Sequence, residues 1–538
     1  MRKLTFYSPF SILYFLSYIL FALVLSACNA EIPGVVTITA PAPTPGSWTE
    51  TPFVVPSPLP SDTLGAAPLV PLASPTEGAA VAETTLTPTP LPTDTPAPVA
   101  LRPSYVIVAD MDYESKVIDV TQEITYPNQS GQSLDEVILA MEPNLLDGVF
   151  NLTSVTVDEQ KLDTFTLDGQ KLDVTLPAAL APGATLKLGL TYSLNLPLIV
   201  QGNPNEVRPK IFGVADRQVN LVDWYPFIVP YINGGWVLHD PWYYGEHLVY
   251  DKADFDVTLR FKDGDNLPVV AASAAAEPLP DGGTRYQLEN ARNFSFSMGR
   301  QFKVVSQQIE GDITISNYYL GDLNKPAAES ALDATVKSVK TYRELFGQYP
   351  HKTLAVVMGD FNDGMEFDGL YFLAKSFYNL YDNSQKEKNL LVTLAAHETA
   401  HEWWYGRVAN DQAAEPWLDE SLAMYCEKLF YENNYPDDLK WWWLYRVDAY
   451  QPTGWVDTVL YDGGGFTPYT NATYRMGAYF LEDLRAQIGD EAFFAFLKDY
   501  STQMDGKIST SADFFRILRA HSDQDISALV TKYFQNQH

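Results

Sequence analysis

The chain has 538 residues, and its 67 acidic side chains outnumber its 36 basic ones, which gives a formal net charge of −31 at pH 7. This length predicts two or three domains with ample hydrophobic cores. So acidic a protein repels phosphate backbones, and we therefore expect no nucleic-acid partner. The 2 cysteines exclude a disulfide-stabilised scaffold and a metal site built from several thiolates.

The N-terminus has the features of an export signal. Arg2 and Lys3 precede a long apolar run, which ends in Leu-Ser-Ala-Cys at residues 25–28. This pattern resembles a bacterial lipoprotein signal peptide, here residues 1–27, whose cysteine is lipidated after cleavage. We therefore predict an exported cell-envelope protein that is anchored to the membrane through a lipid on Cys28. The alternative is an uncleaved transmembrane anchor, because about 24 apolar residues can span a bilayer.

Residues 28–100 are predicted to be a disordered linker. Of the 37 prolines in the chain, 16 lie between residues 31 and 100, where threonine is also frequent. Such a segment buries too little apolar surface to offset the entropy lost on ordering. We expect it to act as a tether between the membrane anchor and the folded part of the chain.

Residues 101–305 have the pattern of β-strands. Between residues 118 and 126, apolar and polar side chains alternate, as they do in a half-buried strand. Turn-forming sequences such as Pro182-Gly183 recur along the segment. These features predict an N-terminal antiparallel β-sandwich domain.

Residues 306–538 change to the 3.6-residue period of helices, with a short buried strand. The strand is predicted at 354–357, and helices are predicted at 328–346, 389–407, 474–488, 491–500 and 511–521, with another that begins at Pro416. Proline suits the first turn of a helix, where its missing N–H is not needed. The second domain is therefore expected to be rich in helices around a small sheet.

The predicted helix at 389–407 contains His397, Glu398 and His401 in the pattern H-E-x-x-H. Histidines four residues apart lie on one face of a helix and can bind a single metal ion. The glutamate between them can accept a proton from an attacking water molecule, as in zinc peptidases. The alternative is a pair of surface histidines without a ligand.

Glu420 favours the metal site over that alternative. It lies on the next predicted helix, and eighteen residues separate it from His401. Two histidines and one carboxylate leave the fourth coordination position of zinc open, as in catalytic sites. We therefore predict one Zn²⁺ per chain, with His397, His401 and Glu420 as ligands and Glu398 as general base.

With these motifs the chain resembles the gluzincin metallopeptidases of the aminopeptidase N and leukotriene hydrolase type. The resemblance rests on the spacing of the four residues and on two flanking sequences, Trp-Trp-Tyr-Gly at 403–406 and Glu-Pro-Trp-Leu-Asp-Glu at 415–420. It implies a multidomain α+β fold, in which the N-terminal antiparallel β-sandwich precedes a thermolysin-like α/β zinc peptidase domain.

The resemblance also implies a residue for the oxyanion. Tyr474 lies in Tyr-Arg-Met-Gly, which is similar to the family's Tyr-x-Lys-Gly segment, whose tyrosine hydroxyl donates to the tetrahedral oxyanion. Tyr469 matches a second tyrosine that is often found five residues earlier. We expect Tyr474 to be the catalytic one of the two.

A further motif implies how the substrate is held. Gly364, Met365 and Glu366 resemble the family's Gly-x-Met-Glu-Asn strand, whose backbone aligns the peptide and whose glutamate binds the free α-amine. Phe367 stands where the family has asparagine, and Asp363 where glycine is common. We expect these departures to leave the zinc chemistry intact. The step that they affect is the binding of the substrate's free α-amine.

These features predict an exported, membrane-anchored zinc metallopeptidase that acts on peptides, and specifically an aminopeptidase. One alternative is an endopeptidase with the same metal site and an open cleft. The other is a surface binding protein that keeps the fold without catalysis, against which the intact Glu398 argues. Of the remaining features, Trp441-Trp442-Trp443 and Cys426 are expected to pack in the core, although the tryptophans could line an apolar subsite.

Overall fold

The computed structural model describes residues 101–200, 210–262, 264, 266–385 and 387–537. These residues belong to a single compact unit of the chain. The predicted signal peptide, the predicted linker and the predicted lipidation site Cys28 lie outside the described residues. A search of the described helices finds none that is long and apolar enough to cross a bilayer.

The first half of the described chain is built from strands, as its alternating pattern predicts. In chain order they are β1 (Ser104–Asp112), β2 (Val117–Pro127), β3 (Leu134–Ala140), β4 (Phe150–Val157), β5 (Gln160–Lys161), β6 (Phe165–Asp168), β7 (Lys171–Leu180), β8 (Thr185–Asn195), β9 (Gly213–Val214), β10 (Val219–Leu221), β11 (Phe227–Ile228), β12 (Tyr231–Ile232), β13 (Gly235–Trp236), β14 (Ala253–Phe261), β15 (Val269–Ala272), β16 (Ala276–Pro278), β17 (Thr284–Ala291) and β18 (Phe296–Gly299).

These strands form one large sheet and two four-stranded sheets that share a hydrophobic core, together with the two-stranded pair β12-β13. The large sheet has the order β16-β17-β14-β1-β2-β8-β4-β5, and the smaller ones have the orders β15-β18-β10-β9 and β11-β3-β7-β6. Pairing is antiparallel except between β1 and β14, which run parallel. Alternate residues of β2, such as Ile118 and Val120, are buried, so one face of the strand packs in the core as the sequence predicts.

The second half combines a five-stranded sheet with helices. Its strands are β19 (Phe302–Ile309), β20 (Ile313–Leu320), β21 (Thr353–Gly359), β22 (Gly364–Phe367), β23 (Leu370–Ala374), β24 (Ala409–Asn410) and β25 (Ile508–Ser509). The helices are α1 (Lys325–Phe346), α2 (Lys375–Asn379), α3 (Leu390–Ala400), α4 (Trp417–Asn434), α5 (Leu439–Trp442), α6 (Phe466–Thr470), α7 (Gly477–Ile488), α8 (Asp490–Gln503), α9 (Ser511–His521) and α10 (Ser527–Tyr533). This arrangement confirms the predicted α+β fold.

The sheet and the helices together position the H-E-x-x-H segment. The sheet has the order β19-β20-β21-β23-β22, so β22 is an edge strand. Helix α3 packs against β22, β23, α1 and α4, and its residues from 391 to 400 are all buried. A helix that is buried on every side needs apolar residues all around, which explains why its sequence is so uniformly apolar.

The prediction of a helix over 389–407 is wrong at its C-terminal end, because α3 ends at Ala400 and His401 caps it. The chain then turns tightly, and Gly406 N donates to the His401 carbonyl at 2.7 Å. Tyr405 has φ 132°, a backbone conformation that residues other than glycine rarely adopt. Trp403 and Trp404 are fully buried in this turn, so the apolar pattern continues after the helix has ended.

Candidate active site

Three predicted metal ligands converge where the end of α3 meets the start of α4. Asn389 begins α3 by accepting a hydrogen bond from the Val392 backbone at 3.1 Å. Glu420 Oε2 lies 3.3 Å from His397 Nε2 and 3.6 Å from His401 Nε2. All three side chains are buried. Two imidazole nitrogens and one carboxylate oxygen therefore face a common point.

The second nitrogen of each imidazole lies close to an oxygen atom, as a hydrogen bond in His401 and as an ion-pair contact in His397. His401 Nδ1 lies 3.0 Å from the Trp404 carbonyl oxygen, and His397 Nδ1 lies 3.0 Å from Glu427 Oε1. Because a carbonyl can only accept, His401 carries its proton on Nδ1 and leaves the Nε2 lone pair for a metal. Burial also lowers the pKa of His401 well below its usual value, which keeps the ring neutral.

A zinc ion fits this donor set. Glu420 Oε2 is buried and has no hydrogen-bond partner among the described residues, so a cation would satisfy it. Imidazole nitrogens and carboxylate oxygens are ligands that zinc prefers. Glu427 contacts His397 from behind. Burial alone would raise the pKa of this carboxyl group, but the charge and hydrogen bonds of Arg446 lower it to about 2 and keep the group ionised.

The predicted base, Glu398, lies beside the ligands. Burial raises its pKa well above the usual range, and the charges of Glu366 and Glu420 add to the rise while His397 opposes it. A carboxylate with a raised pKa is suited to take up a proton and return it. Gly364 on β22 lies against it, because a Cβ at that position would collide with the Glu398 carboxylate. Glycine therefore lets the edge strand approach the base.

Tyr474 lies in a π-helical turn, Asn471–Met476. Its ring stacks on the imidazole of His397, with centroids 6.0 Å apart and planes 5° from parallel. Burial raises the pKa of Tyr474 well above its usual value, and the nearby charge of Glu420 adds to this. The hydroxyl therefore stays protonated and can donate a hydrogen bond. The hydroxyl of Tyr469 is buried without a partner among the described residues, and its ring lies 6.1 Å from that of Tyr474.

Glu366, on β22, lies beside the metal ligands. One of its carboxylate oxygens and one each from Glu246 and Glu420 lie within 4.8 Å of one another. Gln412 Nε2 donates to Glu366 Oε1 at 3.3 Å. Burial raises the pKa of Glu366 well above the usual range, and the charges of Glu246 and Glu420 raise it further. Three crowded carboxylates favour a cation between them.

Glu246 was not among the predicted site residues. It comes from the first half of the chain, between β13 and β14, and joins the site only through the fold. The glycine before it, Gly245, has φ 67° and approaches Leu460 and Tyr469 closely. The Gly245-Glu246 pair is the sequence feature that could have marked this glutamate. It lies too far along the chain from the metal ligands for its spacing to predict that it joins them.

A cavity of about 530 Å³ adjoins Glu366 and reaches into the first half of the chain. Met365 and Phe367, on either side of Glu366, both line it. Phe367, which replaces the family's asparagine, also packs edge-on against Phe372, with ring centroids 6.0 Å apart. Asp363 has φ 97°, in the left-handed region that favours glycine.

A second buried group, His351, Asp368 and Glu402, has the composition of a metal site but is an ionic network. His351 Nε2 lies 2.6 Å from Asp368 Oδ1, and Lys252 Nζ lies 3.5 Å from Asp368 Oδ2. The Glu402 carboxylate accepts from the Gly369 backbone at 3.2 Å. These groups already satisfy one another, and the lysine would oppose a cation.

Comparison with known proteins agrees with this geometry. Residues 330–533 match the family described as Peptidase family M1 domain. Aminopeptidase N of Lactobacillus helveticus is 25% identical over 308 residues, which cover 53% of this chain and 36% of the relative. Human endoplasmic reticulum aminopeptidase 1 is 25% identical over 261 residues, which cover 45% of this chain and 27% of the relative. The chain thus spans between about a quarter and about a third of the length of these relatives.

Solved structures share the fold over both halves of the described chain. The M1 zinc metallopeptidase from Deinococcus radiodurans has a TM-score of 0.59 at 18% identity, over 81% of this chain and 94% of that chain. A two-domain M1 zinc metallopeptidase mutant bound to L-arginine has a TM-score of 0.58 at 18% identity, over 78% and 91% of the two chains. Residues 330–533 of this chain are thus similar to an M1 peptidase domain, and the donor set within them fits a single catalytic zinc ion.

Proposed function

We propose that this protein is a zinc-dependent aminopeptidase that releases residues from the N-terminus of peptides. The observation that carries the proposal is the position of Glu366 and Glu246, whose carboxylates lie together beside the metal ligand Glu420. A free α-ammonium group is the cation that a peptide substrate would offer to this pair. The aminopeptidases among the relatives support the same activity.

The residues of the site divide the chemistry between them. Zinc, when bound by His397, His401 and Glu420, would supply a Lewis acid that polarises the scissile carbonyl and acidifies water. Glu398 takes a proton from the attacking water on its carboxylate and delivers it to the nitrogen of the leaving amine. The hydroxyl of Tyr474 donates a hydrogen bond to the oxyanion that forms at the carbonyl.

Blocking the substrate's α-amine tests the proposal. We expect an N-acetylated peptide to be cleaved about 10²- to 10³-fold more slowly than the free peptide, because it cannot form the buried ion pair. Changing Glu366→Gln should lower kcat/KM for the free peptide by a similar factor and leave the slow acetylated reaction almost unchanged. Measurement of kcat/KM for both peptides with both enzymes gives the answer.

Other outcomes would point to the alternatives. Equal rates on free and acetylated peptides would favour the endopeptidase. Stoichiometric zinc without hydrolysis of either peptide would favour the binding protein. The Glu246→Gln variant is the internal check, because it should reproduce the effect of Glu366→Gln if the two carboxylates share one ammonium group.

We also propose that the enzyme acts outside the cytoplasmic membrane, on a lipid anchor at Cys28. Arg2, Lys3, the apolar run and the small residues before Cys28 support this. In a bacterial host supplied with labelled palmitate, we expect the mature protein to lack residues 1–27 and to carry the label. The Cys28→Ala variant should keep residues 1–27 and remain unlabelled. An unlabelled protein of full-length mass in the membrane would instead support the uncleaved anchor.

A further inference from the structure

The tryptophan-rich segment at 441–443 leads to the back of the metal site. Trp442 is fully buried, and its Nε1 donates to Glu427 Oε2 at 2.8 Å. Glu427 lies on α4, seven residues after the ligand Glu420, so the two side chains lie on the same face of the helix two turns apart. Its other oxygen, Oε1, is the atom that lies 3.0 Å from His397 Nδ1.

Arg446 completes the surroundings of this carboxylate. Its Nε donates to Glu427 Oε2 at 2.8 Å and its Nη2 donates to Oε1 at 2.6 Å. Two parallel hydrogen bonds of this kind fix a carboxylate in position and orientation more firmly than a single donor can. Both Glu427 oxygens therefore accept hydrogen bonds from residues other than His397, and the carboxylate cannot turn without breaking them.

The backbone around Arg446 is unusual. It lies in a π-helical turn, Trp443–Val447, that follows α5 directly. An additional residue in a helix rotates the following side chains by about 100°. Arg475, which follows Tyr474, donates from Nε to the Arg446 carbonyl at 3.2 Å. The two π-helical turns of the site are thus joined by this hydrogen bond.

We infer that Arg446 is a positioning residue for the zinc ligand His397 and acts on it through Glu427. The guanidinium fixes the carboxylate, the carboxylate fixes the Nδ1 side of the imidazole, and Nε2 is thereby aimed at the metal. Arg446 itself touches neither the ligand atoms nor the substrate cavity described above. The role follows from contacts with Glu427 and does not depend on which peptide the enzyme cleaves.

Zinc affinity measures this role directly. We expect Arg446→Met in the full chain to weaken zinc binding by about 10- to 100-fold, the usual effect of losing an outer-shell partner. Arg446→Lys should recover part of the loss, because an ammonium group keeps the charge but offers no planar pair of donors. The measurement is competition for zinc with a chromogenic chelator, with thermal unfolding of the zinc-free proteins recorded alongside.

Arg485→Met is the matched control. The side chains of Arg446 and Arg485 are each 12% exposed and each is paired with a glutamate, in the second case Glu432 at 2.7 Å. Arg485 contacts none of the metal ligands, so its loss should cost stability and leave zinc affinity within twofold of wild type. A zinc affinity that follows stability equally in both variants would overturn the inference.

A double-mutant cycle shows whether Arg446 acts through Glu427. If it does, Arg446→Met combined with Glu427→Gln should bind zinc no more weakly than Glu427→Gln alone. Additive losses, or an Arg446→Met protein with wild-type zinc affinity, would contradict the inference. Should Arg446→Met not fold, Arg446→Lys takes its place because it lacks the planar pair of donors, and wild-type zinc affinity there would contradict the inference. Because the probe is zinc alone, the result is separate from any failure of the aminopeptidase proposal.

Discussion

The Glu398→Gln variant is expected to keep its zinc and to lose about 10³- to 10⁴-fold in kcat, the largest effect among the substitutions considered. Glutamine has the shape of glutamate and fits beneath Gly364, where the structure leaves no room for a change of position. Its amide cannot take a proton from water or return one to the leaving amine. Steady-state kinetics on a free peptide and metal analysis of the same sample test both parts.

Glu402→Gln is a closely matched control for this variant. Glu402 is also buried, 4 residues further along the chain, and it accepts hydrogen bonds from the Gly369 backbone. Burial, with the nearby charge of Asp368, raises the pKa of Glu402 well above its usual range, so glutamine resembles its protonated form. We expect kcat to stay within a few fold of wild type. A comparable loss in both variants would show that Glu398 contributes through packing rather than proton transfer.

The sequence places the predicted metal ligands close together because their geometry is local. Helical periodicity alone places His397 and His401 on one face of α3, and the burial of α3 brings them to the start of α4, where Glu420 lies. The same periodicity places Glu427 two turns after Glu420. A glutamate at that spacing is ordinarily an exposed surface residue, so the spacing does not identify it. Only the contacts with His397 and Arg446 identify it as part of the site.

The remaining parts of the site depend on long-range contacts. Glu246 lies 120 residues before Glu366, on the other half of the described chain, and no local pattern relates them. The C-terminal end of α3 could not be predicted either. Trp403 and Trp404 continue the apolar pattern of the helix, although they pack in the turn that follows it. π-Helical turns leave no periodic signal of their own. The spatial positions of Arg446 and Tyr474 therefore do not follow from helical periodicity, although the family resemblance singled out Tyr474.

Tyr474→Phe should lower kcat by about 10²- to 10³-fold, as expected when one oxyanion donor is removed, and should leave zinc affinity unchanged. Phenylalanine keeps the ring that stacks on His397 and removes only the hydroxyl, so the substitution separates hydrogen bonding from packing. The measurements are kcat and KM on a free peptide, together with the zinc affinity of each variant.

Tyr479→Phe provides the comparison, because its hydroxyl donates to Asp448 at 2.6 Å on a more exposed part of α7. That variant should retain wild-type kcat. The KM of Tyr474→Phe should change little, since the oxyanion exists only after attack on the carbonyl. A loss confined to KM would place the hydroxyl in substrate binding, and a parallel loss of zinc would make it a support for Glu420. A fall in kcat alone, with zinc retained, is the result that identifies Tyr474 as the oxyanion donor.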